Sequence, residues 1–263
     1  MLRLWGRISS INVRKVVLCA QVLGLEFDRI DAGLSFGIVN TPDYRARNPN
    51  GLVPLLEDGD FILWESNVIV RYLCARAGSP LYPQDLQQRF NAERWMDWQQ
   101  TELNPAGSPA FKQWIRTPAE QRCPQVIAAS VAATEPLFAQ LDEHLSKQAF
   151  MAGDALTMAD IPIACEVHRW WGLPQPRPAW PHLERWYAHW LALPASRGVL
   201  DLRDVEQALE NLRRVPTVEA DIEIVPADDP GLSDLLVHWT QQRPLRLELT
   251  DSGTVEARAA ARR

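Results

Sequence analysis

Residues 2–5, LRLW, alternate as a short strand does, and from residue 11 the apolar spacing becomes that of a helix. Val13, Val16, Val17 and Ala20 share one face, and Gly24 stands where a helix of about residues 11–23 ends. EFDRIDA, Glu26–Ala32, alternates again and completes a strand–helix–strand unit. The next stretch, residues 33–51, is polar and rich in Gly, Pro and Asn, an irregular connection with one short helix. LVPLLE and FILWE then flank a DGD turn, which predicts a hairpin. SNVIVRYLCARAG returns to helical spacing through Val68, Ile69, Tyr72 and Leu73 and closes at Gly78.

SPLYPQD, residues 79–85, is a proline-punctuated linker, and the pattern beyond it is helical. Residues 86–104, 124–147, 157–171, 181–193 and 203–214 place apolar side chains three and four apart. The prediction is an α/β domain at 1–80, of order β-α-β-loop-β-β-α, and an all-helical domain at 86–214. Residues 215–263 form an extension of different character. Its runs DIEIV and LRLEL alternate and suit strand pairing, whereas its acidic and proline-rich patches suit partial disorder. So short a segment sustains no core alone.

Composition narrows the class. Of 263 residues, 46% are hydrophobic and 23% charged, the make-up of a globular protein with ample core material. A net charge of -6 without a long basic block argues against a nucleic-acid partner. MLRLWGRISS lacks the apolar run of a secretion signal, and no stretch approaches the roughly 20 apolar residues that cross a bilayer. A membrane partner is therefore not expected. The four cysteines, Cys19, Cys74, Cys123 and Cys165, form no C-x-x-C pair and fit a reducing, cytoplasmic setting. No metal site is expected: His168 and Arg169 in EVHRWWG have no partner at zinc-like spacing and read as structural or surface groups.

Two places carry candidate chemistry. Ser9, Ser10 and Asn12 set three uncharged hydrogen-bonding side chains where the first strand meets the first helix. Either they cap that helix or they hold a reactive group. The second place is residues 48–66, where Val53-Pro54 precedes a strand although proline donates no ladder hydrogen bond. A cis bond and a sharp turn accommodate such a proline and leave the Val53 amide and carbonyl free to pair with an extended peptide. Glu65 and Ser66 stand where the hairpin feeds the next helix, whose free amides suit a carboxylate while Glu65 suits an ammonium group. Together these features suit a small zwitterionic peptide.

The first ~80 residues, with LVP and ES in this order, resemble the thioredoxin-like domain of cytosolic glutathione transferases. FMAGDALTMADIPIACE resembles the buried capping box of that family's helical domain, with Thr157 as N-cap, Asp160 at N3, and Leu156 and Ile161 as a hydrophobic staple. The likeness spans roughly residues 1–210 and is to the serine-type, theta-like bacterial members. It implies a thioredoxin-like domain followed by an all-α domain. It also implies that the Val53 backbone holds the cysteinyl part of glutathione beside a cis Pro54, and that Glu65 and Ser66 hold its γ-glutamyl end.

The hydroxyl that steadies the thiolate falls at Ser10, four residues ahead of Arg14, with Ser9 and Asn12 as competitors. Leu52 stands where some classes have a lysine, which leaves Asn40 or Asn50 to hold the glycyl carboxylate. Glutathione is the implied co-substrate, a small hydrophobic electrophile its partner, and a homodimer the implied assembly. The same thiol also serves dehalogenation, peroxide reduction and isomerisation, and a non-catalytic glutathione-binding or scaffold protein is the rival of a different class. Helical spacing puts most tryptophans of the second domain in its core, with Trp98, Trp114 and Trp171 as candidates for a pocket wall.

Overall fold

The computed structural model describes residues 1–201 together with the backbone of strands 218–226, 233–241, 245–249 and 255–259. The chain divides into two compact units, Met1–Asp201 and Leu202–Arg263. In the first, β1 (Leu2–Trp5), α1 (Ile11–Val22), β2 (Phe27–Ile30), α2 (Pro42–Arg47), β3 (Leu55–Asp58), β4 (Phe61–Trp64) and α3 (Ser66–Arg76) follow in that order. The sheet runs β2-β1-β3-β4, with β1 parallel to β2 and the remaining pairs antiparallel. This is the expected thioredoxin-like arrangement.

Helix α1 is buried from Val13 through Ala20 because it lies against α3 and also against α7 of the helical part. A helix enclosed on every side has no polar stripe. Its two cations, Arg14 and Lys15, are consequently interior groups, and both find partners there.

The helical part comprises α4 (Leu86–Trp98), α5 (Asn104–Phe111), α6 (Pro124–Lys147), α7 (Asp160–Trp171) and α8 (Pro181–Ala192). The run expected to stop at 104 continues to Arg116, through π-helical turns at Gln99–Leu103 and Lys112–Arg116. Pro105, Gly107 and Pro109 read as helix breakers in the sequence. The wide turn at Gln99–Leu103 lies where the Pro105 ring would otherwise press on the carbonyl one turn back.

Helix α7 begins at Asp160, three residues later than expected. The expected role of Thr157 is corrected with it: Ala159 occupies the cap position, and the Thr157 hydroxyl donates to Asp160 Oδ2 at 3.2 Å instead of accepting from the helix. The other half of the box is present, since the Thr157 N–H also donates to Oδ2, at 3.0 Å. Asp160 is fully buried and receives two more donors, Met151 N–H at 2.9 Å and Trp186 Nε1 at 3.0 Å. Burial pushes its carboxyl up to about 6 against the pull of those donors. Ile161 is in the core and Leu156 packs against it.

The helix expected at 203–214 lies outside the described residues. In the second unit β5 (Val218–Pro226) pairs antiparallel with β6 (Ser233–Gln241), and β7 (Leu245–Leu249) with β8 (Val255–Ala259). DIEIV and LRLEL are thus both strands, but each pairs with a different segment, in separate two-stranded sheets.

Candidate functional site

Ser10 occupies the cap position of α1 with extended backbone (φ -87°, ψ 122°), yet its side chain makes no capping bond. Its carbonyl accepts Val13 N–H and Arg14 N–H, both at 2.9 Å, while the hydroxyl has no protein partner among the described residues. The capping reading of this serine therefore fails, and a donor stands at the positive end of α1. Ser9 is half-buried beside it. Asn12 is committed in part, since its Oδ1 accepts the Ser66 hydroxyl at 3.2 Å. That bond ties the start of α1 to the start of α3.

The Val53–Pro54 bond is cis, as the strand pattern requires. The turn before it is braced by two side chains: Tyr44 Oη and Asn48 Nδ2 donate to the Leu52 carbonyl at 2.7 and 2.9 Å. Gly6 brings this turn against α1. A Cβ there would stand 2.4 Å from Val13 Cγ2 and 3.2 Å from Val53 Cβ, so only glycine permits the approach. The cis turn and the Ser10 end of α1 are neighbours for that reason.

Glu65 has φ 72° and ψ 110°, a conformation costly for a residue with a Cβ. The carboxylate is exposed, whereas Ser66 and Asn67, the first residues of α3, are buried. Neither α1 nor α3 carries an acid in its first turn, but Glu65 stands at the cap position of α3, so it is the α1 end that presents uncompensated positive field.

The two asparagines expected near the glycyl end are placed differently. Asn40 Oδ1 accepts Arg45 Nη2 at 2.9 Å, and the Asn50 backbone N–H donates to Asn48 Oδ1 at 3.1 Å while the residue itself is exposed. Sequence reasoning missed Arg45. Its Nη2 lies 3.0 Å from the position of a Cβ on Gly51, so it supplies a cation on the segment leading to Val53. The signal was a pair of arginines on one short helix, and the fold separates them: Arg47 pairs with Glu57 and covers the Trp5 ring at 4.6 Å.

In the helical part, Trp171 packs with Phe138, Trp180 and Tyr187, and Trp98 lies edge-on to Trp95. Trp114 is half-buried beneath the Arg122 guanidinium. His168 is interior, its Nδ1 3.1 Å from Tyr187 Oη, and Arg169 pairs with buried Glu166. Among the described residues no cluster of three or more His, Cys, Asp or Glu is placed to hold a metal. No helix among them is long and apolar enough to cross a membrane.

The glutathione S-transferase N-terminal domain matches residues 1–75 and the C-terminal domain of that family residues 124–189. Glutathione S-transferase GstB of Escherichia coli strain K12 is 42% identical over 203 residues, covering 76% of this chain and 98% of the relative. The chain belongs to the glutathione S-transferase family. Among solved members, the theta class enzyme from Xanthomonas axonopodis pv. citri with glutathione bound superposes with a TM-score of 0.74 at 42% identity. That match covers 75% of this chain and 96% of the other. Elongation factor 1-gamma 1 of Oryza sativa subsp. japonica is 28% identical over 205 residues, which cover 75% of this chain and 47% of that protein. A POTRA domain also matches residues 180–226, a stretch that takes in α8 of the helical part and β5 of the second unit.

Proposed function

We propose that the chain is a glutathione transferase that lays glutathione along the cis turn, steadies its thiolate and joins it to a small hydrophobic electrophile. The observation that carries this reading is the cis Val53–Pro54 turn, which Gly6 lets approach Val13 in the first turn of α1, the helix whose cap residue Ser10 makes no side-chain capping bond. The Val53 backbone pairs with the cysteinyl residue in β fashion. Glu65 meets the γ-glutamyl ammonium group, and Ser66 with the free amides of α3 meets its carboxylate. Arg45, backed by Asn40, is the cation for the glycyl carboxylate, with Asn50 beside it.

Glutathione's thiol, with an ordinary cysteine pKa near 8.5, is mostly protonated at neutral pH, and the thiolate is the nucleophile. Each unit by which the site lowers that pKa is about 1.4 kcal/mol of preference for the anion. One hydrogen bond to a charged partner is worth roughly that, and the end of α1 adds to it. The thiol gives up its proton to solvent, sulfur forms a bond to the electrophilic carbon, and the leaving group departs with the electrons of the broken bond. Serine stays protonated throughout.

The assembly we infer is a homodimer. Exposed apolar side chains concentrate on β4 and the helices after it: Phe61, Ile62, Trp64, Val68 and Phe90. The four free cysteines suit a cytoplasmic protein.

Retention on immobilised glutathione and conjugation of a panel of electrophiles test the reading together. Ser10→Ala is expected to lower kcat at least tenfold, about one charge-assisted hydrogen bond, while glutathione affinity stays close to wild type. An unchanged kcat moves the donor role to Ser9 or to the Asn12 amide. Retention without conjugation of any electrophile selects a binding role without turnover.

A further inference from the structure

Lys15 lies one turn and a half into α1 and is fully buried. Its Nζ donates to Gln99 Oε1 at 2.9 Å and to Gln100 Oε1 at 3.2 Å. Successive side chains on a regular helix diverge by about 100°, so two neighbours seldom reach one atom. Here they do, at the start of the π-helical turn Gln99–Leu103. Such turns recur at functional sites.

Gln99 distributes the contact. Its Oε1 also accepts Asn67 Nδ2 at 3.3 Å, and its Nε2 donates to Glu166 Oε1 at 2.7 Å. Asn67 directly follows Ser66 on α3, and its Nδ2 further donates to the Met96 carbonyl at 2.7 Å. Glu166 keeps a second cation, Arg169, which reaches Asn104 Oδ1 at 3.1 Å. One buried ammonium thus joins the helix of Ser10 to the helix that starts at Ser66. A buried charge is costly, and an apolar residue of similar volume would serve stability as well or better.

We propose that Lys15 is a positioning residue for the γ-glutamyl end of glutathione, tying Asn67, next to Ser66 on α3, to α1 through the Gln99 amide, with Gln100 as the second acceptor of its ammonium. This inference rests on the glutathione reading of the site. Desolvation, reinforced by Arg169, lowers the ammonium to about 8, and Glu166, Cys165 and Glu65 offset part of that fall. Lys15 therefore still carries its charge at neutral pH.

The test is steady-state kinetics of the full chain, with S-methylglutathione binding as a second readout free of the thiol. Lys15→Met removes the charge and strands none, because Glu166 retains Arg169. It is expected to raise the glutathione KM and the S-methylglutathione Kd roughly tenfold, the equivalent of one charge-assisted hydrogen bond. The kcat should stay within about twofold and the melting temperature should not fall, because an apolar replacement of a buried ion is often neutral or stabilising. Lys15→Arg, which keeps the charge and two donors, restores most of the affinity.

Unchanged affinity in Lys15→Met, or a fall in kcat or melting temperature without a change in affinity, overturns the assignment. Should Lys15→Met not fold, Gln99→Met removes the link from the ammonium to Asn67 and must still raise KM at constant kcat. Failure of the wild type to bind S-methylglutathione overturns the glutathione reading itself, and this inference with it.

Discussion

Single side chains in this protein do work that their residue type does not announce. Asp160 is an acidic residue at a helix start, a position that ordinarily merely complements the helix dipole. Here it is the common acceptor for two backbone amides, a hydroxyl and an indole, all inside the core. Asp160→Ala strands the Met151 and Thr157 N–H groups and Trp186 Nε1. At about 1–3 kcal/mol for each buried donor left without a partner, we expect a loss of at least about 3 kcal/mol, read as a lower urea midpoint. At this scale the sequence was legible where a motif implies geometry, as at Val53-Pro54 and Glu65-Ser66. It was opaque for Arg45, whose value depends on Arg47 being taken by Glu57 and Trp5, a fact of tertiary contact.

At the scale of elements, hydrophobic period located the strands and most helices of the described part to within a few residues. The exception, the continuation from α4 through α5, failed for a physical reason. Proline and glycine speak locally, and widened turns together with the packing of α5 on α6 and α7 outweigh them. Gly107 shows the cost left behind. It lies inside α5, and a Cβ there would meet Arg169 and Trp170 at 3.5 Å, an ordinary contact. Gly107→Ala is accordingly expected to raise stability by about 0.5–1 kcal/mol, measurable by chemical denaturation, through helix propensity alone. The same change at Gly6 would drive a methyl group into Val13.

The molecule as a whole joins a unit that matches its relatives to a second unit, Leu202–Arg263, beyond nearly all of that likeness. The change from helical spacing to short alternating runs puts the sequence-based boundary at residue 215, whereas the compact units divide after Asp201. The pairing of those runs was not legible, because two-residue periodicity names a strand and not its partner. On the first unit, β4 is an edge of the sheet and carries Phe61 and Trp64 in the open. If the proposed homodimer pairs through that edge, Phe61→Asp together with Trp64→Lys halves the mass measured by sedimentation, because charge on both residues opposes its burial. A variant that keeps a two-chain mass moves the proposed interface elsewhere, and a wild type that sediments as a single chain overturns the homodimer itself.

The left-handed backbone of Glu65 has one further consequence. A glycine there would relax the chain yet delete the carboxylate that we propose meets the γ-glutamyl ammonium group. Laboratory evolution under heat selection alone would therefore drift toward glycine at this position, producing hardier protein that has forgotten its substrate.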